Sequence, residues 1–136
     1  MWHPTSGVIL AQDGASIIFV GAAGIARGIN DDIKPENVRV WEAINRSLAI
    51  STTSYLVFAN RIGTEDGLMF WGGSEIIDPS GNTVAKAGYH KEAHLTASID
   101  MLKLKHARIN TTLLGDEKID IVIDELTRIK QMRKEY

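Results

Sequence analysis

The sequence predicts an α/β fold, a mixed β-sheet with helices on one face. Three observations predict it. Residues 15–20 and 55–59 are short apolar runs rich in β-branched and aromatic side chains, the pattern of buried strands. Between them Val38, Trp41, Ile44 and Leu48 recur at three- and four-residue spacing, which gives a helix with one apolar face. After the second run, Asp78-Pro79-Ser80-Gly81-Asn82 is a turn signal between two strand-like arms. Alternation of helix and strand sets strands parallel, a hairpin sets them antiparallel, and together they make the sheet mixed.

Residues 4–14 read as a short helix. Thr5 or Ser6 is placed to cap its start, Val8, Ile9 and Leu10 give it an apolar side, and Gly14 ends it. The strand at 15–20 runs into Ala22-Ala23-Gly24, a small-residue strand end that reads as a loop start. Residues 25–34, with Gly28, Asn30, Asp31 and Asp32, read as an exposed loop, and without a Lys-Ser/Thr pair this is no phosphate loop. Pro35 and Glu36 suit the first turn of the next helix, which reaches about Ser51. On it Arg39, Glu42, Asn45 and Arg46 fall away from the apolar face, and Trp41 suits packing or a pocket wall.

The stretch from Tyr55 to Ala87 is the centre of the chain. Its strand 55–59 ends at Asn60-Arg61, residues 63–67 read as a loop, and Leu68-Met69-Phe70-Trp71 resumes strand character. Phe70 and Trp71 alternate across that strand, so one of them is expected to face inward. Gly72-Gly73-Ser74 breaks it before the 75–87 hairpin. Arg61 beside Glu65 suits an ion pair that holds a loop. Residues 88–93 are a polar connection, 93–100 alternate like a strand, and 101–108 form a short helix whose basic residues read as a solvated face. His90 and His94 stand four residues apart but lack a third ligand, so no metal site is expected. A last helix over 116–134 carries the stripe Ile119, Val122, Ile123, Leu126, Ile129 and Met132, with acidic residues at its start and Lys130, Arg133 and Lys134 at its end. That stripe fits either a second subunit or the chain's own sheet.

With 136 residues and no repeat or composition shift, one domain over 1–136 is expected. A net charge of −2 gives no footprint for nucleic acid, and no apolar run approaches the roughly 20 residues that span a bilayer. The first residues show no basic region followed by an apolar core, so the expected location is the cytoplasm. The chain has no cysteine, which removes disulfides, thiolate metal sites and the strongest common nucleophile. The Ser and His residues present include no Gly-x-Ser-x-Gly elbow or other paired nucleophile and base.

Asn60-Arg61-Ile62-Gly63-Thr64-Glu65, then Gly72-Gly73-Ser74, then Asp78-Pro79-Ser80-Gly81 occur in an order and spacing that resemble the carbon–nitrogen hydrolase (nitrilase and amidase) superfamily. The resemblance runs from Met1 to about Ala107, and the final helix is less diagnostic. It implies the C-terminal half of an α-β-β-α sandwich, completed by oligomerisation. Met1-Trp2-His3-Pro4 matches the end of the family's nucleophile segment, C-x-D-x-x-x-P, which places the cysteine upstream of Met1 together with the glutamate base and the lysine. The resemblance therefore implies no catalytic residue in this chain. It implies a substrate-pocket set of Trp2, His3, Ala22, Ala23, Asn60, Arg61, Glu65, Phe70 and Trp71, with no cofactor and no metal. Its expected partners are a second copy or a complementing N-terminal half, and a small amide or nitrile, with no nucleic acid and no membrane. Two functions follow: half of a hydrolase of non-peptide C–N bonds, inactive alone, or a non-catalytic oligomerisation or ligand-binding module.

Overall fold

The computed structural model describes residues 3–28 and 34–133. Trp2, Lys134 and the Asn30-Asp31-Asp32 part of the expected loop lie outside the described residues. The elements are α1 (Pro4–Gln12), β1 (Ile17–Ala22), α2 (Glu36–Ser51), β2 (Tyr55–Asn60), β3 (Ile62–Glu65), β4 (Leu68–Trp71), β5 (Glu75–Ile77), β6 (Thr83–Lys86), α3 (Met101–Asn110), a single 3₁₀ turn (Thr112–Leu114) and α4 (Ile119–Met132).

The sheet is mixed, as expected. Its order is β1-β2-β5-β6, with β1 parallel to β2 and the remaining pairs antiparallel, and β3 and β4 form a separate two-stranded ribbon. Parallel register sets Ile18 beside Leu56 and Val20 beside Phe58, and the antiparallel register sets Leu56 beside Ile77. Side chains alternate across a strand, so these apolar groups share one face. On that face they form one core with Val38, Trp41 and Leu48 of α2. The rings of Trp41 and Phe58 lie 5.3 Å apart and those of Phe58 and Trp71 5.8 Å apart, so one aromatic series joins helix, sheet and ribbon. On the opposite face Phe19 is 74% exposed and Ala59 is exposed, while Tyr55 is buried with its hydroxyl donating to the Asp100 carbonyl at 3.1 Å.

The ends of the elements differ from expectation in instructive places. Neither Thr5 nor Ser6 caps α1: Pro4 stands in its first turn and His3 is the cap residue, without a side-chain hydrogen bond. Gly14 (φ +98°) does close it. Residues 63–67 are not a loop. Ile62–Glu65 is a strand, and Asp66 (φ +51°) with Gly67 (φ +75°) makes a two-residue turn of the primed type. Among the described residues the expected strand at 93–100 forms no ladder, although Leu95, Ala97 and Ile99 are half-buried and alternate with exposed neighbours. It has the pleat of a strand without a paired one.

Asn45 is the largest departure on α2. It belongs to the buried face, and its Nδ2 donates to Glu75 Oε1 at 2.9 Å. Around this contact Lys86 reaches Glu75 (3.2 Å) and Glu42 (2.6 Å), Lys34 reaches Glu42 (2.6 Å), and the Tyr89 hydroxyl donates to Glu42 (2.5 Å). Burial pushes the Glu42 carboxyl up, but the hydrogen bonds from Lys34, Lys86 and Tyr89 outweigh it and hold the group at about 2. A pKa lowered by folding stabilises the fold above the unfolded value of 4.5, and the gain is lost as pH falls toward 2. Glu42→Gln should therefore cost about 1–2 kcal/mol in urea denaturation at pH 7, between an exposed and a buried pair. The difference from the parent chain should narrow steadily between pH 5 and pH 2, and a difference independent of pH would contradict this account.

Candidate functional site

Parallel β1 and β2 end side by side, and in open α/β sheets the space beyond the carboxyl ends of such strands is where ligands bind. The sequence places Gly21-Ala22-Ala23-Gly24 at one of these ends and Asn60-Arg61 at the other. Asn60 is 9% exposed and both ends of its carboxamide are engaged: Oδ1 accepts from Gly24 N at 2.7 Å and Nδ2 donates to the Gly72 carbonyl at 2.8 Å. Its backbone N–H donates to Ser74 Oγ at 3.0 Å. One side chain thus fixes the end of β1 to the segment that follows β4. Arg61 continues the connection, with its N–H donating to the Ala22 carbonyl and its carbonyl accepting from Gly72 N, both at 3.0 Å.

Gly24 permits this closeness. A Cβ there would lie 2.7 Å from Trp71 Nε1 and 3.2 Å from the Asn60 carboxamide atoms, closer than packed atoms sit. Trp71 is 1% exposed, and its ring contacts Phe58 and Tyr89. Phe70 is buried as well. Of the two, Trp71 is the one that joins the core, and Phe70 is buried outside it. Arg61 stacks over the Phe70 ring at 4.5 Å, and Ile25 bridges to Phe70 from the other direction.

Above this floor is a cleft of about 250 Å³, lined among others by Asn60, Arg61, Gly73, Ser74, Lys91 and Glu92. Arg61 and Glu65 form an exposed ion pair at 2.5 Å, and the guanidinium holds the Glu65 carboxyl below its usual range. The structure brings Ala22, Asn60, Arg61, Glu65, Phe70 and Trp71 together. Ala23 is exposed beside them, and His3 is exposed at the start of α1, where its carbonyl accepts from Ser6 N. Trp2 lies outside the described residues. Sequence reasoning missed Lys91 and Glu92, which it took for a plain polar connection. They follow the Gly72–Tyr89 bridge, which returns the chain to the strand ends. Among the described residues no group of three or more His, Cys, Asp or Glu side chains is placed to hold a metal ion.

The cleft contains an arginine, a lysine, two carboxylates nearby and backbone groups, but no activated nucleophile, since the chain has no cysteine and the Ser74 hydroxyl is engaged with Asn60. It can bind and orient a polar molecule. Asn60→Ala should leave the Gly24 N–H and the Gly72 carbonyl unpaired and cost about 2–4 kcal/mol in urea denaturation. A loss below about 0.5 kcal/mol would show that the strand ends are held otherwise. Gly24→Ala should also destabilise, with a change in Trp71 fluorescence as the ring shifts.

Residues 1–109 match the family model described as carbon–nitrogen hydrolase. The chain is 30% identical over 128 residues to an N-carbamoylputrescine amidase of Solanum tuberosum, covering 88% of this chain and 42% of that one. It is 31% identical over 117 residues to an (R)-stereoselective amidase of a Pseudomonas species, covering 85% and 39%. Among solved structures, a carbon–nitrogen hydrolase from Helicobacter pylori G27 superposes with a TM-score of 0.80 at 31% identity, over 92% of this chain and 45% of that one. The chain thus spans about two fifths of the length of the curated relatives it matches. By its motifs, its sheet and these likenesses, it belongs to the carbon–nitrogen hydrolase superfamily.

Proposed function

We propose that this chain is the C-terminal half of a cytoplasmic carbon–nitrogen hydrolase that cleaves a non-peptide C–N bond of a small amide or nitrile. The reading rests on the strand-end cluster, in which Asn60 locks Gly24 to Gly72 beneath an open polar cleft. In this reading Trp2, His3, Ala22, Ala23, Asn60, Arg61 and Glu65 form one wall of the substrate pocket. Phe70 and Trp71 act from beneath, by keeping the Gly72-Gly73-Ser74 turn in place. An upstream segment or a separate polypeptide supplies the thiolate that attacks the amide or nitrile carbon, the glutamate that carries the proton, and the lysine that stabilises the developing negative charge.

Two further observations support a missing counterpart. The chain has no cysteine, and one face of its sheet leaves Phe19 and Ala59 to solvent beside the edge strand β1. The same lack of cysteine favours the second reading, a non-catalytic oligomerisation or ligand-binding module.

Ammonia release from small amides separates the two. The chain alone should release none. Coexpressed with a cysteine-bearing N-terminal half of a carbon–nitrogen hydrolase it should release ammonia, and replacing that cysteine with alanine should abolish the activity. Halves that copurify without hydrolysis would favour the module, and hydrolysis by the chain alone would overturn the split of roles.

A further inference from the structure

Tyr89 does not line the cleft, yet it stands directly behind one of its walls. Gly73 belongs to that wall, and a Cβ on it would lie 2.7 Å from the Trp71 ring and 2.9 Å from the Tyr89 ring. The turn is therefore wedged against two aromatic side chains, with no room for even a methyl group. Gly72 (φ +69°) and Gly73 (φ +63°) are both left-handed. Glycine gives up more conformational freedom than any other residue when it is fixed, so this shape depends on what packs and bonds against it. The segment around Tyr89 supplies much of that support. Tyr89 bridges to Gly72, Gly73 N donates to the Gly88 carbonyl at 3.4 Å, and His90 N donates to the Trp71 carbonyl at 2.9 Å.

Through its hydroxyl the same ring reaches α2. It donates to Glu42 at 2.5 Å, and Lys34 and Lys86 stand 5.6 and 5.9 Å from the ring centroid. Burial and the bond to Glu42 raise the pKa of the phenol, while Glu42 is held at about 2. Donor and acceptor thus keep their protonation states across the whole neutral range. A phenylalanine would fill the same space. The hydroxyl adds direction, because a ring tied at one end to a helix cannot slide or tilt freely against the turn at its edge. The charged network on α2 is in this way joined mechanically to the cleft.

We propose that Tyr89 is a positioning residue: tethered by its hydroxyl to Glu42, its ring fixes Gly72-Gly73-Ser74 as a substrate-facing wall of the cleft. Its bearing on substrate rests on the hydrolase reading; the placement of the turn does not. Tyr89→Phe, which removes the tether and keeps the ring, tests both. In the chain alone, amide hydrogen exchange followed by NMR should accelerate at least about ten-fold at Gly73 and His90, while Leu56 and Phe58 in the core stay within about two-fold. Unchanged exchange at Gly73 and His90 would overturn the proposal. So would equal acceleration at all four, which is the mark of a contact that serves stability alone. In the complex with a cysteine-bearing N-terminal half, the variant should raise KM for a small amide at least about five-fold and leave kcat within about two-fold. An unchanged KM, or a loss confined to kcat, would overturn the part played in binding. A parent complex that releases no ammonia would instead sink the hydrolase reading, and the exchange result would still decide whether Tyr89 holds the turn.

Discussion

The hydrogen-bonded carboxamide of Asn60 is the constraint on which this structure depends. A buried amide with unsatisfied groups is costly, so the side chain holds its position only while both partners are in place. Its partners are Gly24, just past β1, and Gly72, just past β4. They lie 36 and 12 residues away along the chain, so one local geometry ties three segments that would otherwise drift apart. The Ser74 hydroxyl adds a fourth, because the Asn60 N–H donates to it at the point where β5 is about to begin. The open cleft keeps its shape because its floor is determined in this way, with Trp71 packed below and no side chain at Gly24 to push the strands apart.

Much of the frame could be read from sequence because it obeys simple periods. Val38, Trp41 and Leu48 recur as a helix face and are buried as one. The apolar run from Tyr55 and the Pro-Ser-Gly-Asn turn after Asp78 behave as expected, the latter because the Asp78 carboxylate accepts from Ser80 N and Asn82 N. The strand Ile62–Glu65 was not legible in this way. It is exposed along most of its length, so it carries no apolar alternation, and the pairing of its register with Leu68–Trp71 holds it. The Asp66-Gly67 pair was the available signal, since that dipeptide favours positive φ at both central positions. Residues 93–100 fail in the opposite sense. The alternation is there, but a strand is defined by its neighbour, and no sequence pattern states whether that neighbour is present.

The site was legible in part for the same reason. The order of the motifs pointed to Asn60, Arg61 and the glycines, but what those residues do is a matter of contacts between distant segments. The charged network on the α2 face of the sheet is the sharper case. Lys34, Glu42, Glu75, Lys86 and Tyr89 come from four separate stretches of chain, and nothing in their spacing announces that Glu42 accepts from three of them. Asn45 is buried on the helix face that should be apolar because Glu75, itself buried, needs a donor. Polarity in a core is decided by partners, and hydropathy alone is blind to them.

The exposed face around Phe19 and the edge of β1, unpaired among the described residues, also bear on how the chain behaves on its own. An unpaired strand edge beside an exposed aromatic is a template for adding another strand. Addition of identical chains is second order in the chain itself, whereas capture by a covering partner is first order in each. Yield of well-folded material therefore depends on the stoichiometry and timing of synthesis. If the proposed N-terminal counterpart is made in step, the edge is occupied before it can recruit a sibling. In excess of any such counterpart, the same exposed edge favours self-addition and precipitation.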